Sequence, residues 1–200
     1  MRNFNISHPA ADALDWDEAM RVITALANDG LYRESMLLSV GCYMGLRISD
    51  ILRLKWQDIL DNDILVIQEK KTKKKRKLKI NPQLKKHAQY CYDETGQEDK
   101  DAYMFTSWQY YGTRPITRVR ADQLLKGIKT RYHITSARVF STHSLRKTFG
   151  RRVWLNECEK GRGEQALVLL CDVFGHSNVS ITKRYLGIRE EEILSVYDIL

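Results

Sequence analysis

The sequence predicts one mainly α-helical domain with a small antiparallel β-hairpin or three-stranded sheet. Three observations carry that expectation. Apolar residues recur at helical spacing along most of the chain. The clearest β signal, a β-branched run followed by alternation with lysines, lies in one stretch near 64–80. Only three prolines interrupt the 200 residues, and no Pro-, Gly- or Ser-rich linker divides them.

The elements follow in order. Asp15 and Glu18 form a D-x-x-E pair that predicts a capping box. Trp16, Ala19, Met20, Ile23 and Leu26 then line one helical face, and Asn28-Asp29-Gly30 ends it. Tyr32 to Met44 is apolar nearly all round, which predicts a central helix broken at Gly45. A short helix is expected over 49–54. Ile64-Leu65-Val66-Ile67 reads as a strand, and Leu78 and Ile80 alternate with lysines in a second. A third strand is expected near Trp56 to Ile59. Pro82 opens a helix running to Thr95. Thr117 to Lys129 is the next, with Val119, Leu124, Leu125 and Ile128 on one side. Helices over 141–156, 164–174 and 180–186 follow, the second stopped by Gly175, and an amphipathic one over 190–200 completes the chain. The whole chain, 1–200, reads as one domain with an N-terminal extension over 1–14 and a C-terminal helical segment over 188–200.

Composition narrows the partners. Hydrophobic residues make up 43% and charged residues 29%, as in ordinary globular proteins. No apolar run is long enough to span a bilayer, and no signal peptide is legible, so the expected location is the cytoplasm. The four cysteines form no C-x-x-C pair or zinc spacing, and Cys42 and Cys171 sit in apolar runs as core residues do. The formal charge of +8 favours an anionic partner. Its distribution says more: residues 70–79 read KKTKKKRKLK. Lys70, Lys73, Lys74, Lys75 and Arg76 therefore read as contacts to the phosphates of a nucleic acid, which strengthen binding without reading sequence, or as solvated charges.

Five short elements carry the chemistry: Gly45-Leu46-Arg47-Ile48-Ser49-Asp50, Lys71-Thr72, His143-Ser144-Leu145-Arg146, Gly175-His176-Ser177 and Tyr185-Leu186-Gly187. In this order, with nine residues from His176 to Tyr185, they resemble the tyrosine recombinase (phage integrase) family. The match spans 45–187. The resemblance implies that family's catalytic-domain fold and a metal-free DNA strand transfer through a 3′-phosphotyrosyl intermediate, with no cofactor. It implies Tyr185 as nucleophile, His143 as base, and Lys71 as the acid for the leaving 5′-oxygen, with Lys70 and Lys73 as alternatives to Lys71. It further implies double-stranded DNA as partner, a homo-tetramer on DNA, and accessory DNA-bending proteins.

Elementary chemistry agrees. Guanidinium forks match phosphate oxygens and stay charged, so Arg47 and Arg146 suit a clamp. His176 can donate one hydrogen bond more. A phenol is a weak nucleophile at neutral pH and needs a base and a positive field. Nine other tyrosines compete with Tyr185, Tyr110, Tyr111 and Tyr197 among them, and the spacing from His176 selects it. Asp50 stands where the family more often has glutamate. It is read as a buttress for Arg47 or a histidine, or as a simple helix-start acid. Gly175 is read as the turn that presents His176.

The extension over 1–14 is expected to leave no room for the N-terminal DNA-clamp domain of many family members, so the sequence reads either as a fragment of a longer recombinase or as a naturally minimal member. The last segment either packs on its own domain or docks on a neighbouring protomer. A catalytically silent DNA-binding regulator on the same fold and a type IB topoisomerase activity are the alternative functions.

Overall fold

The computed structural model describes residues 10–107 and 113–199, with backbone only at 189–192, 196 and 199. Helix α1 covers Trp16–Asn28 and α2 Tyr32–Met44. Two short helices, α3 (Ile48–Ile51) and α4 (Trp56–Leu60), lead to the hairpin β1 (Ile64–Gln68) and β2 (Lys75–Lys79). Then come α5 (Pro82–Glu94), α6 (Arg118–Arg131), α7 (Thr142–Cys158), α8 (Gly163–Phe174), α9 (Val179–Leu186) and α10 (Ile188–Ser195), with a closing 3₁₀ turn over Val196–Ile199. Residues 1–9, Tyr110, Tyr111 and Leu200 lie outside the described residues.

Helix α2 is the axis of the fold. From Ser35 to Cys42 every residue is buried, and the helix packs on α1, α5 and α7. Its approach to α7 is close: a Cβ on Gly41 would stand 2.6 Å from Leu145 Cβ. Gly45 ends it in the left-handed conformation, φ +58°.

Four expectations need correction. The stretch from Trp56 is a helix, not a third strand. Asp58 Oδ2 accepts the Lys55 N–H (2.8 Å) while Trp56, Ile59 and Leu60 turn inward. One isolated bridge, Lys55 to Tyr103, is all the strand pairing this segment makes among the described residues. The capping box at α1 is half made. Asp15 accepts from the Asp17 and Glu18 N–H groups, but Glu18 reaches across to the backbone N–H groups of Thr135 and Ser136. Val119 is 67% exposed and leaves the buried face of α6 to Ala121, Leu125 and Ile128. The last helix is shorter than expected and starts earlier; Ile193, Leu194 and Tyr197 on it and the following turn are exposed.

The hairpin register pairs Leu65 with Leu78 and Ile67 with Arg76. Alternation places Leu65 and Leu78 on the inner face and Lys75, Lys77 and Lys79 outside. Arg76 therefore shares the face of Leu78.

Two apolar clusters are resolved. The larger unites α1 to α7; the smaller holds Leu167, Leu170, Phe174, Leu186 and Ile188. Helix α7 belongs to both, through Leu145 on one side and Phe149, Val153 and Trp154 on the other. Cys42, Cys91 and Cys171 are buried free thiols and Cys158 is exposed. Among the described residues no helix is long and apolar enough to cross a membrane.

Candidate active site

A cleft of about 530 Å³ opens at the seam of the two clusters. Arg47, Lys71, His143, Arg146, His176 and Tyr185 all line it, from five separate segments of chain.

The end of α8 is the organising feature. Gly175 adopts φ +65°, so the Gly175 N–H bonds back to Asp172 O and the His176 N–H to Cys171 O. That closure leaves the carbonyls of Val173 and Phe174 without helical partners. Arginines fill them. Arg47 Nη2 and Arg146 Nη2 both donate to Phe174 O, at 3.2 and 3.1 Å, and Arg76 Nη1 donates to Val173 O at 2.7 Å. The negative end of the helix dipole thus gathers three guanidinium groups. Arg146 is 5% exposed, donates also to Gly45 O, and lies 4.4 Å over the Phe174 ring. Burial lowers its pKa to about 10, where it remains a cation at neutral pH.

Arg47 is the N-cap residue of α3, two residues beyond the left-handed Gly45. Its second anchor is Glu69, with Nη1 2.8 Å from Oε2. Glu69 also accepts from Arg76 Nη1 (2.9 Å) and Thr72 Oγ1 (2.6 Å). Burial pushes this carboxyl up, but the Thr72 and Arg76 hydrogen bonds and the charges of Arg47 and Arg76 outweigh it and bring it down to about 2.

His143 sits in the first turn of α7. Asp122 of α6 caps that turn by accepting the Thr142 N–H (3.1 Å), and Ser144 Oγ accepts the Ser141 N–H (3.1 Å). The residue is exposed, and Arg118 Nη2 lies 3.5 Å from Nε2. Crowding by protein lowers its pKa, and the charge of Arg118 lowers it further. His176 Nδ1 bonds the buried Thr182 hydroxyl at 2.9 Å, which turns Nε2 toward the cleft. Burial and the charges of Arg146 and Arg47 lower the His176 pKa as well.

Tyr185 lies edge-on to Phe174 (5.4 Å) and His176 (5.3 Å), with Lys147 Nζ 5.3 Å from its ring centre. Its hydroxyl oxygen is buried and close to Arg146, but not in a geometry that completes a hydrogen bond. Burial raises its pKa; Arg146 and Arg47 pull the other way.

The remaining expected residues divide. Lys70, Lys73, Lys74 and Lys75 are exposed on the hairpin and its turn. Arg76 is instead turned inward onto Glu69 and Val173. Asp50 contacts neither Arg47 nor a histidine: Oδ1 accepts the Lys70 N–H (2.8 Å), pinning the hairpin, and Oδ2 is buried without a partner. Tyr197 is exposed and does not line the cleft.

Glu69, Thr182 and Arg118 join the site without being expected there. The signal for Glu69 is a lone acid beside ten residues of nearly unbroken positive charge. The signal for the inward turn of Arg76 is its alternation with Leu78. No local pattern marks Thr182 or Arg118.

The sequence matches the profile of the phage integrase family over residues 12–192. The chain belongs to the phage integrase family. This integrase-family chain is 34% identical over 167 residues to the "Probable integrase/recombinase YoeC" of Bacillus subtilis (strain 168), with 84% of each covered. It is 29% identical over 163 residues to a "Tyrosine recombinase" of Pseudothermotoga lettingae, covering 80% of this chain and 51% of that one. By family it is an integrase/recombinase-type enzyme. The fold is that of the XerA recombinase (TM-score 0.69, 22% identity, 96% of this chain and 65% of that one). A lambda integrase dimer bound to a COC′ core site shares it too (TM-score 0.62, 16% identity, 90% and 49%). The chain thus spans about half to two thirds of the longer proteins it resembles.

Proposed function

We propose that this chain cuts and rejoins double-stranded DNA, with Tyr185 forming a 3′-phosphotyrosyl bond. The observation that carries the reading is the convergence of six groups of complementary chemistry on one cleft. Arg47 and Arg146 present guanidinium forks to the non-bridging oxygens and stabilise the charge that builds on them. In the tautomer whose Nδ1 accepts from the Thr182 hydroxyl, His176 carries its proton on Nε2 and donates it in a hydrogen bond to the same phosphate. Tyr185 Oη attacks phosphorus, its proton passing to the neutral His143. The bond from phosphorus to the 5′-oxygen breaks, and Lys71 protonates the oxygen that leaves. Attack by a 5′-hydroxyl of another strand reverses these steps and rejoins the DNA. The scheme routes no step through a metal ion or cofactor, because the arginines supply the positive charge.

The exposed lysines Lys70, Lys73, Lys74 and Lys75 hold DNA through its phosphates. The partner assembly is a homo-tetramer on DNA, in which the exposed Ile193, Leu194 and Tyr197 dock on a neighbouring protomer. Structural neighbours support DNA as partner, since XerH is described bound to its palindromic difH substrate.

Covalent trapping tests the reading. The chain and its Tyr185→Phe variant are expressed in the source cell, the lysate is denatured, and protein-linked DNA is recovered and sequenced. Discrete linked sites with the native chain alone are the expected result. Linked DNA from both forms would displace Tyr185 as nucleophile. DNA bound but never linked by either would leave a silent DNA-binding protein. Relaxation of plasmid without site preference would make it a type IB topoisomerase.

A further inference from the structure

The tip of the hairpin is held more firmly than an exposed basic turn needs to be. Asp50 takes the Lys70 N–H (2.8 Å), on one side of Lys71. The Thr72 hydroxyl, on the other side, donates to Glu69 Oε2 (2.6 Å). The Glu69 backbone closes the turn at both ends, its N–H on Lys74 O (3.0 Å) and its carbonyl accepting from Lys73 N–H (2.9 Å). Lys71 is thereby flanked by fixed neighbours while its own side chain stays exposed at the cleft.

Glu69 joins this tip to the phosphate clamp. The same oxygen that accepts from Thr72 accepts from Arg47, and the other oxygen accepts from Arg76, itself tied to the end of α8. The carboxylate is 4% exposed, so its geometry is set by protein rather than water. A negative charge beside Arg47 weakens the field the phosphate meets.

We propose that Glu69 is a positioning residue that holds Lys71 at a fixed place relative to Arg47, so that the acid for the leaving oxygen and the clamp on the phosphate act in one geometry. Thr72 transmits the constraint to the lysine, and Arg76 keeps Glu69 in register with α8. The inference rests on the reading of Lys71 as the acid.

The test separates proton delivery from everything else. Single-turnover cleavage is measured on a duplex carrying a site recovered by trapping, and on the same duplex with sulfur in place of the 5′-bridging oxygen. In the second substrate the P–S bond breaks and a thiolate leaves as the anion, since a thiol is far more acidic than an alcohol. No acid is then required. On the oxygen substrate Glu69→Gln is expected to slow cleavage about 100-fold and Thr72→Val about tenfold, the scale of a misplaced catalytic group. On the sulfur substrate Thr72→Val returns to near the native rate and Glu69→Gln recovers most of its loss. Lys71→Ala recovers likewise, while Arg47→Gln stays slow on both. If Lys71→Ala recovers and the Glu69 and Thr72 variants do not, Glu69 serves only the clamp or the fold and the proposal is overturned. If Lys71→Ala itself does not recover, the assignment of the acid fails, and the inference falls with it for that separate reason. Thr72→Val exchanges the hydroxyl for a methyl and leaves the Glu69 pairs with Arg47 and Arg76 in place, so it keeps the test valid should Glu69→Gln fold poorly.

Discussion

Arg47 and Arg146 donate to the same oxygen, the Phe174 carbonyl, at 3.2 and 3.1 Å. Two like charges are brought together by a helix end that no backbone N–H satisfies. They differ in what else they hold. Arg146 is buried and also carries Gly45 O, so it is a structural group as well as a clamp. Arg146→Met is therefore expected to cost about 1–3 kcal/mol of stability, the penalty for the buried Gly45 carbonyl left without its donor. Cleavage should drop by about 100-fold or more, as when one charge-stabilising donor is removed. Urea denaturation and single-turnover cleavage measure the two effects separately.

Tyr185→Phe should behave in the opposite sense. The phenolic oxygen is buried without a completed hydrogen bond, a state that costs about 1–3 kcal/mol in proteins. Removing it abolishes covalent capture and leaves the melting temperature equal to or above the native value. A clear fall in melting temperature would show that the hydroxyl is held by a partner.

Acid should weaken both activity and stability, in two windows. His143 and His176 have native pKa values below the ordinary histidine range, from burial and then neighbouring arginines. The native state therefore binds fewer protons than the unfolded state, and stability falls as pH drops below about 6.5. The neutral His143 needed as base persists into that range, so the acid limb of the cleavage rate lies below pH about 6.5. Glu69, at about 2, contributes a second loss. Its stabilisation is complete above the unfolded carboxylate value of about 4.3 and disappears as pH falls through 2. Urea midpoints across pH 2–8, native against His143→Asn and Glu69→Gln, resolve the two windows.

The hairpin cations should divide by the face they occupy. Replacing Lys73, Lys74 and Lys75 together with alanine should reduce the slope of log affinity against log salt by about 3, one counterion for each phosphate no longer neutralised. Arg76→Met should leave that slope unchanged, because its guanidinium faces Glu69 and Val173. Binding titrations at several salt concentrations give both slopes.

Gly45→Ala is expected to destabilise the fold by about 2–4 kcal/mol, combining left-handed strain with overpacking. A Cβ there would stand 2.3 Å from the Phe149 ring, between the clamp and the smaller cluster. Chemical denaturation measures the loss.

Much of this architecture is legible in the sequence, and the reasons differ by element. Helix α2 announces itself because burial all round needs an unbroken apolar run. The six cleft residues are recoverable because a chemical order along the chain survives folding. Asp50 and Arg76 escape a local reading because their partners come from other segments. The Lys70 N–H and the α8 carbonyls are backbone groups that no side-chain pattern advertises. Trp56 to Ile59 is ambiguous because two apolar residues among four are too few to establish a period. The Asp58 cap, which decides, depends on a single hydrogen bond. Arg118 and Thr182 belong to the site only through tertiary packing.

The seam between the two apolar clusters has a consequence for control. The nucleophile rides on a minor core of five buried side chains, while Arg47 and Arg146 tie the major one to the end of α8. Cooperative units of unequal size open at unequal free energies. Opening of α8 to α10 alone would withdraw Tyr185 and His176, and would take from Arg47 and Arg146 the Phe174 carbonyl they share. The weapon can be unloaded without dismantling the scaffold, and whatever braces those last helices sets how often it is armed.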